Sequence, residues 1–263
     1  MGLILSLDNS IHSFNRVNVD FDADYQAILD YGTTQGYTLP SSAQQELQNQ
    51  LVIDLKGAGV WSKLDTFAVF ATDGDSDFAL IDWKRLVDMT AVNSPTFTAN
   101  QGYVSDDVSS YINSNYNPTT DKVNFSGNEA SVFSYVFSSG SSINAYLIGN
   151  LQVRLFNLLT TSHRIHTTIG IDGADLSGTG FMFLNRSDSQ TEEVYKNGAL
   201  VTSASNVTST GVVDNNDTWV LATPSFGGRY SDSTVSITGW GGSFNATDVS
   251  DFNTAITTYM SAI

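Results

Sequence analysis

Residues 192–201 read EEVYKNGALV, and this decapeptide decides the fold class. Asn197-Gly198 sits at its centre. The tightest two-residue turn needs positive φ at both central positions, which asparagine and glycine tolerate best. On the incoming strand Val194 and Lys196 fall on one face, Glu193 and Tyr195 on the other, and Leu200 and Val201 continue the apolar supply on the return. The segment is predicted to be a β-hairpin with two distinct sides.

Outward from this hairpin the same grammar repeats. TFAVFAT (66–72), SSYINSNYNP (109–118), ASVFSYVFSS (130–139), AYLIG (145–149) and LQVRLFNLL (151–159) are short apolar or alternating runs. HRIHTTIGI (163–171), FMFLNRS (181–187), TWVLATP (218–224) and STVSITGW (233–240) continue the series, with Gly, Asn, Asp and Ser clusters between them. No helical period intervenes, so the pattern predicts an antiparallel sandwich or jelly roll.

Helical signals are confined to the two ends. Phe21, Tyr25, Ile28, Leu29 and Gly32 recur at three- and four-residue steps, with Asp20, Asp22 and Asp24 near the positive end of the helix. SSAQQELQNQLVIDLKGAG (41–59) follows, with a capping box from Ser41 and Gln44 or from Ser42 and Gln45. Its buried stripe is Leu47, Leu51 and Leu55, and Gly57 or Gly59 stops it. At the other end Val249, Phe252, Ile256, Tyr259 and Met260 share a face, capped by Asn245 or Thr247. The boundary falls near residue 60: an arm and helical hairpin over 1–60, then a jelly-roll sandwich with a terminal helix over 61–263. Residues 1–19 have no helical period and form either an arm or an edge strand. Their apolar start, Leu3, Ile4 and Leu5, suits docking on a neighbouring subunit or a larger particle.

Hydrophobic residues make up 41% of the 263, enough for a packed core. Charged residues are only 14%, with a net charge of -16, so solubility must come from Asn, Ser, Thr, Gln and excess negative charge. Such a charge repels phosphate backbones, which argues against nucleic acid as a partner. The absence of cysteine removes disulfides, zinc-thiolate sites and cysteine nucleophiles together. The apolar run from Leu3 to Leu7 lacks a basic flank and is too short for a signal sequence or a bilayer span. The expectation is therefore a chain made in the cytoplasm that inserts in no membrane. The N-x-S/T triplets at Asn124, Asn185, Asn206, Asn216 and Asn245 are what chance supplies in so Asn-, Ser- and Thr-rich a chain.

The strand and Y-x-N-G-x-L-V hairpin, followed by VSITGWGGSFNATDVSDF running into a helix, resemble the laminin-G-like, concanavalin-A-like jelly roll. Tyr195, Asn197, Gly198, Leu200, Ile237, Phe244, Asp248 and Phe252 carry the resemblance. A longer block, from FDADYQAILDYG to FALIDWK together with NSPTFTANQGYVSDDVSSYINSNYNP, resembles a module of tailed-bacteriophage virion structural proteins that carry this jelly roll. DWKRLVDMTAV departs from the usual proline-containing turn after the Trp-Lys pair. The resemblance implies a structural protein on the exterior of a virion, as capsid decoration, fibre or tail component. It implies homo-oligomers, other virion proteins as partners and adhesion to host surface glycans as a secondary role, but no particular ligand.

Glycosidases on such a sandwich use two carboxylates that reach one face of a strand. The glutamates are Glu46, Glu129, Glu192 and Glu193, and the adjacent pair points to opposite faces, so Glu192 and Glu193 read as exposed strand-end acids. Asp73, Asp75 and Asp77 alternate as calcium ligands can. However, Phe78 and Lys84 stand where an EF-hand loop needs Gly and Glu, which favours a solvated acidic turn. His163 and His166 do not converge with His12 as a zinc set and read as surface or interface histidines. Trp83, Trp219, Trp240, Tyr103, Tyr111, Tyr116 and Tyr230 lie in or beside polar turns. They either stack sugar rings or, for most of them, fill the core or a subunit interface. The expectation is a non-enzymatic chain with no catalytic residue, no metal, no cofactor and no individual glycan contact assigned. The alternatives are a host-attachment lectin and, behind it, a polysaccharide-degrading enzyme.

Overall fold

The structure is a computed structural model that describes residues 20–142, 145–157, 163–168, 170–171, 174–225 and 227–263. The expectations for residues 1–19, His12 included, lie outside the described residues.

Two helices open the described chain, α1 (Ala23–Gln35) and α2 (Ser42–Gly57). The strands then run β1 (Leu64–Val69), β2 (Ile81–Asp82), β3 (Val87–Asp88), β4 (Thr90–Val92), β5 (Thr96–Thr98), β6 (Gly102–Val104) and β7 (Tyr111–Asn113), with a short α3 (Ser76–Ala79) before β2. They continue as β8 (Ala130–Ser138), β9 (Tyr146–Gly149), β10 (Val153–Phe156), β11 (Arg164–Ile165), β12 (Gly180–Arg186) and β13 (Glu192–Lys196). The last are β14 (Ala199–Ala204), β15 (Trp219–Val220) and β16 (Thr234–Gly241), before the closing helix α4 (Ala246–Ala262).

An eight-stranded sheet has the order β14-β13-β12-β8-β16-β6-β5, with β1 also paired to β16, and a six-stranded sheet has the order β11-β10-β9-β15-β7-β4. Their pairings are antiparallel, and the protein is an antiparallel β-sandwich with helices at its N- and C-terminal ends, as predicted. Alternation divides the large sheet's side chains between two cores. Val132, Met182, Leu184, Val194 and Trp240 point towards the small sheet, where they meet Ile112, Ile148, Leu155 and Val220. Phe133, Phe181, Phe183, Tyr195 and Ile237 point the other way, into a second core shared with Tyr25 and Ile28 of α1, Leu51 and Leu55 of α2, and Phe252 and Ile256 of α4. The result is three layers, helices on sheet on sheet.

Phe252 lies edge-on to Phe133 with centroids 4.7 Å apart and to Phe181 at 5.1 Å, which pins α4 to the sheet. Gly239 makes room for this cluster: a Cβ there would run into the Thr66 carbonyl and the Phe133 ring. A third interior feature is Asp65, buried on β1, which accepts the backbone N–H groups of Val123, Asn124 and Phe125 and the Tyr116 hydroxyl at 2.7–3.0 Å. This carboxylate ties the 116–125 connection to the sheet.

Several local expectations needed correction. The Asn197-Gly198 turn is as predicted, with φ of 51° and 77°, but the return strand β14 is an edge, and Leu200 and Val201 are 53% and 41% exposed. Ser41 caps α2, yet no capping box closes on it, because the Gln44 side chain bonds Asn100, Thr72 and the Asp73 amide. Asn245 and Asp248 do form a full capping box at α4. DWKRLVDMTAV builds a small hairpin, β2 with β3, turned at Leu86 (φ 52°). Strands β2–β6 escaped the sequence reading because two or three residues are too short to show a period. No described helix is long and apolar enough to cross a membrane.

Candidate functional site

Trp219 faces Asn113 on one neighbouring strand and Gly149 on the other, while Val220 faces Ile112 and Ile148, which lie in the inter-sheet core. Strand alternation therefore sends Trp219, Asn113 and Tyr111 to the outer side of the six-stranded sheet, on which no helix packs among the described residues. There the Tyr111 and Trp219 rings stack at 3.8 Å with 20° between their planes, and Tyr230 lies 6.3 Å from Tyr111. All three are half-buried. Burial, and then the neighbouring Tyr230, raises the Tyr111 phenol above its ordinary pKa, so it stays a hydrogen-bond donor at neutral pH.

Two open depressions flank the stack. One, of about 620 Å³, is lined by Asp107, Val108, Ser142, Arg229 and Tyr230, and the other, of about 350 Å³, by Asn113, Asn215, Asn216, Asp217, Trp219 and Pro224. The rim is rigidly built. Asp106 accepts the amides of Val108, Ser109 and Ser110 at 2.8–3.0 Å, and these bonds, that of Ser109 foremost, hold its carboxyl far below the usual range. Asp232 accepts the Ser141 and Ser142 amides on the other side. Asp107, Leu221 and Arg229 take positive φ of 61°, 65° and 43°, a conformation L-residues adopt only where their surroundings enforce it. Within the second depression Asn113 Nδ2 donates to Asp217 at 3.0 Å, which orients amide and carboxylate side by side. Aromatic faces beside fixed amides, carboxylates and a guanidinium match the chemistry of a sugar, with an apolar ring face and a polar edge.

The seven aromatic candidates thus divide. Trp83, Trp240, Tyr103 and Tyr116 are core residues, at most 2% exposed, and Tyr103 and Tyr116 direct their hydroxyls to the Ser76 carbonyl and to Asp65. Only Tyr111, Trp219 and Tyr230 meet at the surface. Asn113, Asn215, Asn216, Asp217, Asp107 and Arg229 were missed; the signal for the first was the buried Ile112 and Val220, whose neighbours must point outward.

The remaining candidates are elsewhere. Asp73 and Asp75 bond the amides of Ser41, Thr38 and Phe78, so they brace the α2 and α3 starts. No described cluster of three His, Asp or Glu converges to hold a metal. Glu192 is not an exposed acid. Fully buried, it receives Arg186 Nη2 and the Ile165 amide at 2.7 Å on Oε1, and burial pushes its pKa up to about 7. Glu193, half-buried, accepts Asn185 Nδ2. His163 and His166 are not surface residues either. Both are buried, and burial, with Arg186 adding to it, pushes His166 down to about 4. Arg186 and Glu192 stitch β11, β12 and β13 together inside the sandwich, through the carbonyl and amide of Ile165.

No family model matches the chain, and no curated protein matches its sequence. Solved structures do share its fold. A Trypanosoma rangeli sialidase in complex with 2,3-difluoro-KDN is 12% identical over 82% of this chain and 40% of that one, with a TM-score of 0.54. Another structure of the sialidase gives 12%, 82%, 39% and 0.51. Domain 4 of a Geobacillus stearothermophilus arabinanase in complex with arabinotriose is 14% identical over 72% of this chain and 98% of that domain, at 0.45. At these identities the likeness is one of fold, and the chain spans about two-fifths of the sialidase length. The comparison nevertheless corrects the expectation of a non-enzymatic chain, because this sandwich is part of glycosidase chains.

Proposed function

We propose that this chain is a carbohydrate-binding β-sandwich whose glycan site is the Tyr111–Trp219–Tyr230 cluster with its two flanking depressions. One observation carries the reading: three half-buried aromatic rings lie on the sheet face that has no helical layer among the described residues, beside an amide and a carboxylate, Asn113 and Asp217, held by their mutual hydrogen bond. Preorganised polar groups beside an aromatic platform lose little entropy when a sugar docks. A glycan array with the purified protein is expected to return bacterial surface polysaccharides, with Trp219→Ala losing at least ten-fold in affinity. An array with no hits, or a Trp219→Ala variant that binds as the parent does, would reject the site.

The resemblance of the N-terminal block to bacteriophage virion proteins supports placing this module on the exterior of a phage particle, as capsid decoration, fibre or tail component. It would be homo-oligomeric there, contact other virion proteins and adhere to host surface glycans. Mass spectrometry of purified particles tests this: hundreds of copies mean capsid decoration, a handful mean tail apparatus, and absence refutes the placement. A glycosidase-like activity on the bound glycan is the second reading, favoured by the fold shared with sialidase chains. Asp107 and Asp217 are the carboxylates lining the two depressions. New reducing ends from a digested polysaccharide, lost in Asp107→Asn or Asp217→Asn, would establish it.

A further inference from the structure

Next to Trp219 the sheet is walled off on one side. Gly149 is its partner on β9, and a Cβ on that glycine would lie 2.7 Å from the Thr223 side chain and from the Tyr146 ring. Those two side chains cover the sheet there, and Arg154 and Arg164, on the strands beyond, lie on the far side of the cover. A ligand on the Tyr111–Trp219 stack therefore extends into the two flanking depressions, and their charge decides what it can be.

Both depressions are acidic. Asp217 lines one and Asp107 the other, and among the described residues Arg229 is the single cation in the two linings. Three more carboxylates stand directly behind. Asp214 Oδ1 accepts Asn216 Nδ2 at 2.8 Å, Asp106 accepts the Val108 amide, and Asp232 accepts the Ser142 amide. Burial alone would raise the Asp232 carboxyl, but the Ser141 and Ser142 amides outweigh it and hold it below the usual range. Asp106, Asp107, Asp214, Asp217 and Asp232 thus face one guanidinium, in a chain whose net charge is already -16. An anionic sugar would meet like charges on both sides of the stack.

The hydrogen-bonding groups are mixed. Asn113 Nδ2 is committed to Asp217 Oδ2, while Asp217 Oδ1 takes no donor from a described residue, so it is an acceptor open to a ligand. Arg229 is a donor only, and the Ser142 and Tyr230 hydroxyls can do either. A sugar hydroxyl donates and accepts, so it serves all of these; an ammonium only donates and would set a second cation against Arg229.

We infer that the aromatic stack selects neutral glycans and rejects acidic ones, with Asp107 and Asp217 accepting sugar hydroxyls on either side of it. The inference rests on the glycan-binding reading and names the class of glycan. A glycan array carrying neutral, uronate-bearing and sulfated polysaccharides tests it, with amylose, pullulan and galactan each printed beside the form whose primary hydroxyls are oxidised to carboxylates. The hits are expected to be neutral. In any matched pair that binds, calorimetry should give the neutral form an affinity at least ten-fold higher, and the gap should narrow as salt screens the repulsion. The Asp107→Asn/Asp217→Asn double variant, verified as folded by circular dichroism, should narrow the gap at low salt too. Acidic hits that bind as tightly as neutral ones, or a gap unchanged by salt and by the double variant, overturn the inference. If Trp219→Ala weakens those same hits, the glycan site survives that outcome; an empty array fells both.

Discussion

On its outer side the eight-stranded sheet meets helices, and Phe133, Phe181 and Phe183 close around Phe252 of α4 with Phe244 stacked alongside. On its outer side the six-stranded sheet presents Tyr111, Trp219 and Tyr230 half-buried, flanked by amides and carboxylates. Both faces are aromatic, yet Tyr25, Trp83, Tyr195 and Tyr259 are closed into the helical-side core with the phenylalanines, whereas Tyr111, Trp219 and Tyr230 are only half-buried. Phenylalanine has no polar atom to satisfy and belongs where water is excluded; tyrosine and tryptophan present an apolar body with a polar tip and suit a surface that meets a ligand. The helical side stabilises the sandwich, and the other side is the one on which we propose recognition.

The largest effect should come from breaking the helical side. Phe252→Ala removes a fully buried ring shared by the packed phenylalanines and should cost about 3–5 kcal/mol. The midpoint of urea unfolding measures it, and a loss below about 1 kcal/mol would show that α4 does not hold the sheet.

Next is the polar seam between the sheets, which makes the interior's pH dependence a balance of two opposed groups. His166 falls from 6.5 to about 4 on folding, so between those values the unfolded chain binds more protons, and stability grows as pH rises. Glu192 climbs from 4.5 to about 7, so the folded chain holds the extra proton there, and stability falls as pH rises. From pH 4.5 to 6.5 the two slopes, each up to about 1.4 kcal/mol per pH unit, oppose. Thermal melts across that range should thus show Glu192→Gln gaining stability with pH and His166→Asn losing it, about a flatter parent. Asparagine is chosen because His166 has φ 53°. Three parallel profiles would rule the balance out.

How far the sequence foretold this contrast depends on the length of the signal. Long alternating runs such as ASVFSYVFSS declared both the sandwich and its two sides, and caps marked the starts of the helices. What alternation does not say is which side water reaches. Glu192 and Glu193 looked equally exposed until Arg186, six residues back and across a hairpin, took Glu192 into the interior. For the same reason seven aromatic candidates could not be divided into four core residues and three surface ones from their polar neighbours alone. Nor does any run of sequence declare the pairing of β9, β10, β11 and β15, which brings residues 149, 154, 164 and 219 into line.

A smaller effect on stability separates the open face from the helical one. Trp219→Ala removes a half-buried ring stacked on Tyr111 and should cost only about 1–2 kcal/mol of stability while lowering glycan affinity at least ten-fold. Equal losses of stability from Trp219→Ala and Phe252→Ala, measured under the same denaturant series, would mean that both faces are structural.

The smallest effect belongs where the helical cover ends, at the hairpin formed by residues 192–201. β13 lies within the large sheet and keeps Val194 and Tyr195 buried, but β14 is the sheet's edge among the described residues, with Leu200 and Val201 exposed. Natural edges of this kind usually carry a lysine, a proline or a bulge that turns the edge away, and Ala199–Ala204 carries neither lysine nor proline. Its one irregularity lies at the inner pairing, opposite Val194 and Tyr195. Leu200→Lys should therefore change stability by less than about 0.5 kcal/mol, because the side chain already reaches water. It is expected to shift sedimentation towards the monomer if copies of the chain pair through this edge, since a lysine there blocks strand addition. An unchanged sedimentation profile in an oligomeric parent would take the hairpin out of the assembly and leave it as the sheet's border alone.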